Sequence, residues 1–182
     1  RSDAHEQKGR GRAIALVPSR LNTNLPVDVF FHLHGNTENK SRGFGGWRQH
    51  KQSAEVRDVA RDRIAQQIEA AKSPQIVGIL PQGVNKAVFG QISPDAYIRD
   101  AFDRLTEVGA WKKAPPSFRV VLSAHSGGSF TVEPMIKGEK GYQLPANLKT
   151  LILFEALNAN LKDPDPKRRF EQVDTFGAWI ER

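Results

Sequence analysis

A chain of 182 residues suits one domain with a proper core, and 38% hydrophobic with 26% charged residues is the balance of an ordinary globular protein. The absence of Cys excludes a disulfide scaffold, a CxxC redox centre, a Cys-liganded zinc site and a Cys nucleophile, while leaving the compartment open. A net charge of +7 favours anionic partners only weakly, and no run approaches the ~20 consecutive apolar residues of a membrane-spanning helix.

The basic residues are spread along the chain, with small clusters at Lys8, Arg10, Arg12 and at Lys167, Arg168, Arg169. Without tighter clustering or interleaved aromatics this reads as a solvated surface, not a specific nucleic-acid footprint. Arg1 heads the sequence and no charged-then-apolar leader follows, so the chain reads as processed or as part of a longer one. Residues 1–11 are polar and aperiodic and read as an N-terminal arm; residues 12–182 read as the domain.

Residues 12–17 predict a short strand ended by Pro18. Val27 to Leu33 is rich in β-branched and aromatic residues and predicts a buried strand, stopping at His34-Gly35-Asn36. Residues 37–50 read as a glycine-rich loop that carries Phe44 and Trp47. Over 54–71, Val56, Val59, Ala60, Ile64, Ile68 and Ala71 recur at spacings of three and four, which predicts a helix. Gln75 to Leu80 predicts a second buried strand, ended by Pro81-Gln82-Gly83.

Ser93-Pro94-Asp95 carries a helix-start signal, with Ser as N-cap and Pro at the first helical position. Ile98, Ala101, Phe102, Leu105 and Val108 mark the apolar face of that helix, and Gly109 ends it. Phe118 to Leu122 predicts a third buried strand, breaking at Ser123, and a short helix then runs up to Lys137. Leu148 to Phe154 predicts a fourth buried strand and Phe170 to Ile180 a last helix. Alternation of this kind predicts an α/β fold: a mostly parallel sheet of about five strands with helices on both faces. In such sheets ligands bind at the carboxyl ends of the strands. The unusual polar clusters His34-Gly35-Asn36, Pro81-Gln82-Gly83, His125-Ser126-Gly127 and Glu155 all fall there.

Ala124-His125-Ser126-Gly127-Gly128 places a Ser between a buried strand and a helix. Small residues two before and two after it let strand and helix approach, and the turn lifts the hydroxyl above the sheet. The plainer alternative is a glycine-rich turn with a capping Ser. Acyl transfer also needs donors aimed at the oxygen that becomes negative. The Gly127 N–H is one candidate, and Gly35 or Asn36, at the end of an earlier strand, supplies the other. His34 is expected to orient this loop.

On these residues the sequence resembles the α/β-hydrolase superfamily over about residues 27–160. It looks most like bacterial hydrolase-like domains with an LPQG element, here Leu80-Pro81-Gln82-Gly83, a following Phe89-Gly90 and an AHSGGS elbow. The resemblance implies a serine hydrolase acting on a small-molecule or polymer-borne ester or amide, without metal or other cofactor. It implies Ser126 as nucleophile, a His base and an orienting acid, for which Glu155 stands at the end of the strand after the elbow. Asp163 and Asp165 are loop alternatives that read as a solvated turn. His34, Phe44, Trp47, Gln82, Phe89 and His125 are expected around the substrate.

All five His (His5, His32, His34, His50, His125) precede Ser126, whereas the superfamily's base follows the last strand. His32 reads as a satisfied core histidine, and His125 as packing beneath the elbow. The expectation is therefore a hydrolase core truncated after the strand that follows the elbow, with its base in the remaining C-terminal part or in another chain. The alternative is a catalytically inactive binding or assembly module.

Overall fold

The computed structural model describes residues 13–35, 59–60, 63–71, 75–83, 87, 89–157 and 164–181. The N-terminal arm, Asn36, Phe44, Trp47, His5, His50, Asp163 and the first part of the helix expected over 54–71 lie outside the described residues. Along the chain run β1 (Ala13–Leu16), β2 (Val27–Leu33), α1 (Ile64–Ala70), β3 (Ile76–Pro81), α2 (Pro94–Glu107), β4 (Phe118–His125), α3 (Ser129–Lys137), β5 (Leu148–Phe154) and α4 (Glu171–Ile180). The strands form one sheet in the order β1-β3-β2-β4-β5. Only β1 is antiparallel, pairing with β3 at the edge; the β2–β3, β2–β4 and β4–β5 pairs are parallel. This is an α/β fold with a mostly parallel sheet, as the alternation of elements predicts.

Side chains alternate across a strand, and the central strands are covered on both faces. Val27, Val29, Phe31 and Leu33 of β2 share one core with Ile98 and Phe102 of α2, Val132 and Met135 of α3, and Phe176 of α4. Phe30 belongs to a second, smaller cluster with Ile64 and Ile68 of α1 and Leu80. Strands β2 and β3 contribute to both clusters, and with β4 they make the fixed frame from which the site projects.

Three details depart from the sequence reading, each for a physical reason. Strand β4 continues past Leu122 to His125, because Ser123 and Ala124 are small, fully buried, and register opposite His32 and Leu33 of β2. Ser93 has the extended N-cap backbone and Pro94 opens α2, but the Ser93 side chain makes no capping bond. Asp95 instead accepts a hydrogen bond at 2.8 Å from the Ala146 N–H, tying α2 to the chain before β5. Strand β5 is half-exposed, with Lys149, Thr150 and Phe154 open to solvent, because it stands at the sheet edge with one neighbouring strand.

Helices α3 and α4 are joined by charge. The Lys137 ammonium lies 2.8 Å from both Glu133 and Glu171. Its hydrogen bond to Glu133, then that to Glu171, hold its pKa well above the ordinary lysine value. No helix among the described residues is long and apolar enough to cross a membrane.

Candidate active site at the carboxyl ends of the strands

The turn after β4 is sharp. Ser126 has φ +46°, a left-handed conformation that costs a non-glycine residue about 1–2 kcal/mol. It opens a single 3₁₀ turn, Ser126–Gly128, that runs directly into α3. The Ser129 hydroxyl donates at 2.8 Å to the Ser126 carbonyl and fastens the turn. Ser126 is half-buried, while Gly127 and Gly128 behind it are buried.

Two glycines let this turn sit against the end of β2. A Cβ on Gly128 would stand 2.3 Å from the Leu33 carbonyl oxygen, a backbone atom with nowhere to go. A Cβ on Gly35 would stand 3.0 Å from His125 Nδ1 and 3.2 Å from Ser126 Cβ. The side chains of His125 and Ser126 therefore both crowd the Gly35 Cα.

Glu155 follows β5 and shares the same unusual backbone, φ +46°. Four described non-glycine residues have positive φ, Arg63, Ala87, Ser126 and Glu155, and the last two end adjacent strands. The Glu155 carboxylate is 88% exposed and lies 3.6 Å from His125 Nε2. Among the described imidazoles, the one beside Glu155 is thus the neighbour of Ser126. Asp165, the loop alternative, caps the 3₁₀ turn at Pro166–Arg168 by accepting from the Lys167 N–H at 3.0 Å.

His32 is a satisfied core histidine, as the sequence suggests. Its Nδ1 lies 3.1 Å from the Ser123 hydroxyl, and its ring stacks on Phe30. His34 is 1% exposed. Its Nδ1 is 2.7 Å from the Gly35 carbonyl oxygen, and its Nε2 accepts from the Gly83 N–H at 2.9 Å. Phe89 is also buried, with its ring centroid 4.9 Å from that of His34. Gln82 is buried beside them and donates from Nε2 to the Gly83 carbonyl at 2.9 Å. Its Oε1 is buried with no hydrogen-bond partner among the described residues.

The structure thus brings Ser126, Gly127, Gly35, His34, His125, Glu155, Gln82 and Phe89 to one end of the sheet. What sequence reasoning missed is the Gly83 N–H bond to His34. Its signal is the Gly after Pro81-Gln82, but linking it to His34 needs the β2–β3 register. A separate cavity of about 340 Å³ opens at the opposite end of the sheet, lined by Arg99, Asp103, Pro116, Phe118 and Asn147 among others.

No family model and no curated protein matches the sequence. Among solved structures, the chain is similar to acyl-protein thioesterase 2 of Zea mays, at 14% identity with a TM-score of 0.33. That similarity covers 79% of this chain and 61% of the maize chain. The class stated by the chain's own sheet order is α/β, with a mostly parallel sheet of five strands.

Proposed function

We propose that this chain carries the nucleophile of a serine hydrolase that cleaves an ester or amide through an acyl-enzyme on Ser126. The observation that carries the reading is the left-handed Ser126, perched between a buried strand and a helix and pressed against Gly35 at the end of β2. Backbone strain at a polar residue is maintained only where the surroundings enforce it, and it concentrates at functional sites.

In this reading Ser126 Oγ attacks the substrate carbonyl carbon and passes its proton to a general base. The new oxyanion is held by the Gly127 N–H and by a second donor from Gly35 or Asn36. Collapse expels the alcohol or amine, which takes up that proton. Water then repeats the attack on the acyl carbon, releasing the acid and restoring the hydroxyl. None of the described imidazoles is assigned as the base in this reading, and Glu155 is taken as the acid that orients it. Substrate contact is assigned in this reading to His125 at the elbow; His34, Gln82 and Phe89 are buried and back the site, and Phe44 and Trp47, also expected there, lie outside the described residues.

A second reading is favoured by the duties of the described imidazoles. His32 bonds to Ser123, His34 bridges Gly35 and Gly83, and His125 faces Glu155. A catalytically silent binding or assembly module would keep the same elbow without a base. Treatment of the protein, as the cell makes it, with a fluorophosphonate and measurement of intact mass separates the two. A single adduct abolished by Ser126→Ala is expected for the hydrolase. No adduct on the wild type overturns it in favour of the silent module.

A further inference from the structure

The cavity of about 340 Å³ lies between α2 and the start of β4, at the end of that strand away from Ser126. This is near the lower bound of the roughly 300–1,000 Å³ of small-molecule pockets, so it has room for one compact molecule. Its floor is already ordered. Phe102 and Phe118 are buried with their rings edge-to-face at 5.7 Å, and Trp111 meets Phe102 edge-to-face at 5.1 Å. The Trp111 Nε1–H donates at 2.8 Å to the Thr106 hydroxyl and pins this cluster. The rim is tied into the backbone of the sheet. The Ser117 carbonyl accepts from the Val27 N–H at 3.1 Å, and the Asn147 carbonyl from the Val120 N–H at 2.9 Å. Walls fixed in this way lose little freedom when a ligand binds, which favours even a small one.

The charge in the lining comes from Arg99 and Asp103, one turn apart on α2 and both exposed. Opposite charges four residues apart on a helix commonly pair. These two do not: among the described residues neither takes part in an ion pair. The order cation first, carboxylate second is the weaker one along a helix. The Arg99 guanidinium carbon instead lies 5.3 Å from the centroid of the Phe118 ring, where the face of the ring attracts it. One cavity therefore presents a cation and an anion that do not neutralise each other.

These charges define the ligand by exclusion. A simple anion would be repelled by Asp103 and a simple cation by Arg99, whereas a molecule carrying both charges satisfies the pair. We infer that this cavity binds a small zwitterion of the α-amino-acid class with an apolar side chain. Its carboxylate pairs with the Arg99 guanidinium, whose fork of donors suits it, and its ammonium pairs with Asp103. Its side chain rests on Phe102, Phe118 and Pro115. The site stands apart from the elbow, and the inference does not rest on the serine-hydrolase reading.

Isothermal titration calorimetry of the full chain with three probes tests it: L-phenylalanine, hydrocinnamate, which lacks the ammonium, and phenethylamine, which lacks the carboxylate. L-Phenylalanine is expected to bind one site with a Kd of about 1 mM or tighter, and each singly charged probe about tenfold more weakly. Arg99→Gln and Asp103→Asn alter exposed side chains and should leave thermal melting near wild type. Each is expected to weaken L-phenylalanine about tenfold. Asp103→Asn should also bring hydrocinnamate level with L-phenylalanine, because the repelling carboxylate is gone.

No saturable binding of L-phenylalanine overturns the proposal. Equal binding of the three probes to wild type, or an affinity for L-phenylalanine unmoved by either one of the substitutions, overturns it as well. Labelling of Ser126 has no bearing on any of these outcomes.

Discussion

The two ends of the sheet are built on opposite principles. At the amino ends, Asp28 of β2 is held at 2.8 Å by Arg119 of β4 and at 2.8 Å by Lys149 of β5, an open arrangement of long side chains over relaxed strands. At the carboxyl ends the same strands terminate in two left-handed non-glycine residues, one glycine with no room for a methyl group, a second glycine closely packed by His125 and Ser126, and a buried histidine. One end tolerates change because its contacts are solvated and adjustable. The other is fixed where the Gly128 backbone meets the Leu33 carbonyl, an approach that no side chain can adjust. The proposed catalytic site lies at the end that flexible side chains hold least.

The sharpest way to break the carboxyl end is Gly128→Ala. Its Cβ would meet the Leu33 carbonyl oxygen at 2.3 Å, and overpacking against a main-chain atom is expected to cost about 3 kcal/mol in urea denaturation. Any other outcome than severe destabilisation would mean that the β2–elbow contact is looser than described. Lys137→Met tests a charged link away from both ends. It is expected to cost about 1 kcal/mol, since the pair of hydrogen bonds is only partly shielded from water. The Lys137 pKa is raised in the folded state. Its contribution is therefore complete below the unfolded value of 10.5 and is lost as pH rises through the higher folded value. The gap between wild type and variant should accordingly be full at neutral pH and narrow only in strong alkali.

Ser126→Gly sharpens the comparison by separating strain from chemistry. It relieves the left-handed backbone at some cost in chain entropy, so a gain of about 0.5–1 kcal/mol is expected by thermal melting. Ser126→Ala keeps the strain, so its stability should stay near wild type. Both abolish the fluorophosphonate adduct under the hydrolase reading. The smallest effect is expected at the amino end. Arg119→Ala removes an ion pair whose arginine side chain is 62% exposed, and about 0.5 kcal/mol or less should be lost, shrinking further with salt. A loss as large as that of Gly128→Ala would erase the contrast between the ends.

Much of this frame was legible in the sequence, and the reasons are local. The run from Val27 to Leu33 announces a strand covered on both faces, and Ser93-Pro94-Asp95 marks the start of α2 to the residue. Small residues around Ser126 announce a tight turn because no other residue types fit there. The rest depended on partners far apart in the chain. Ser123 looks like a strand breaker until it is placed opposite His32, whose ring it meets at 3.1 Å. The exposure of β5 follows from its place at the sheet edge, which an apolar run cannot reveal. The tautomer of His34 depends on a glycine 49 positions away, and the approach of Glu155 to His125 on the pairing of β5 with β4.

The contact between Gly128 and the Leu33 carbonyl has a consequence for how such a protein diversifies. It acts as a fixed gauge, setting the distance from the turn at Ser126 to the strand beside it by atoms that no side-chain exchange can reach. Under the hydrolase reading, adaptation to larger or smaller substrates is thereby confined to the segments that leave the strand ends. The reacting centre would be inherited unchanged while the surrounding loops vary in length and composition. For an engineer, this is a chassis onto which new loops are grafted, with the elbow left alone.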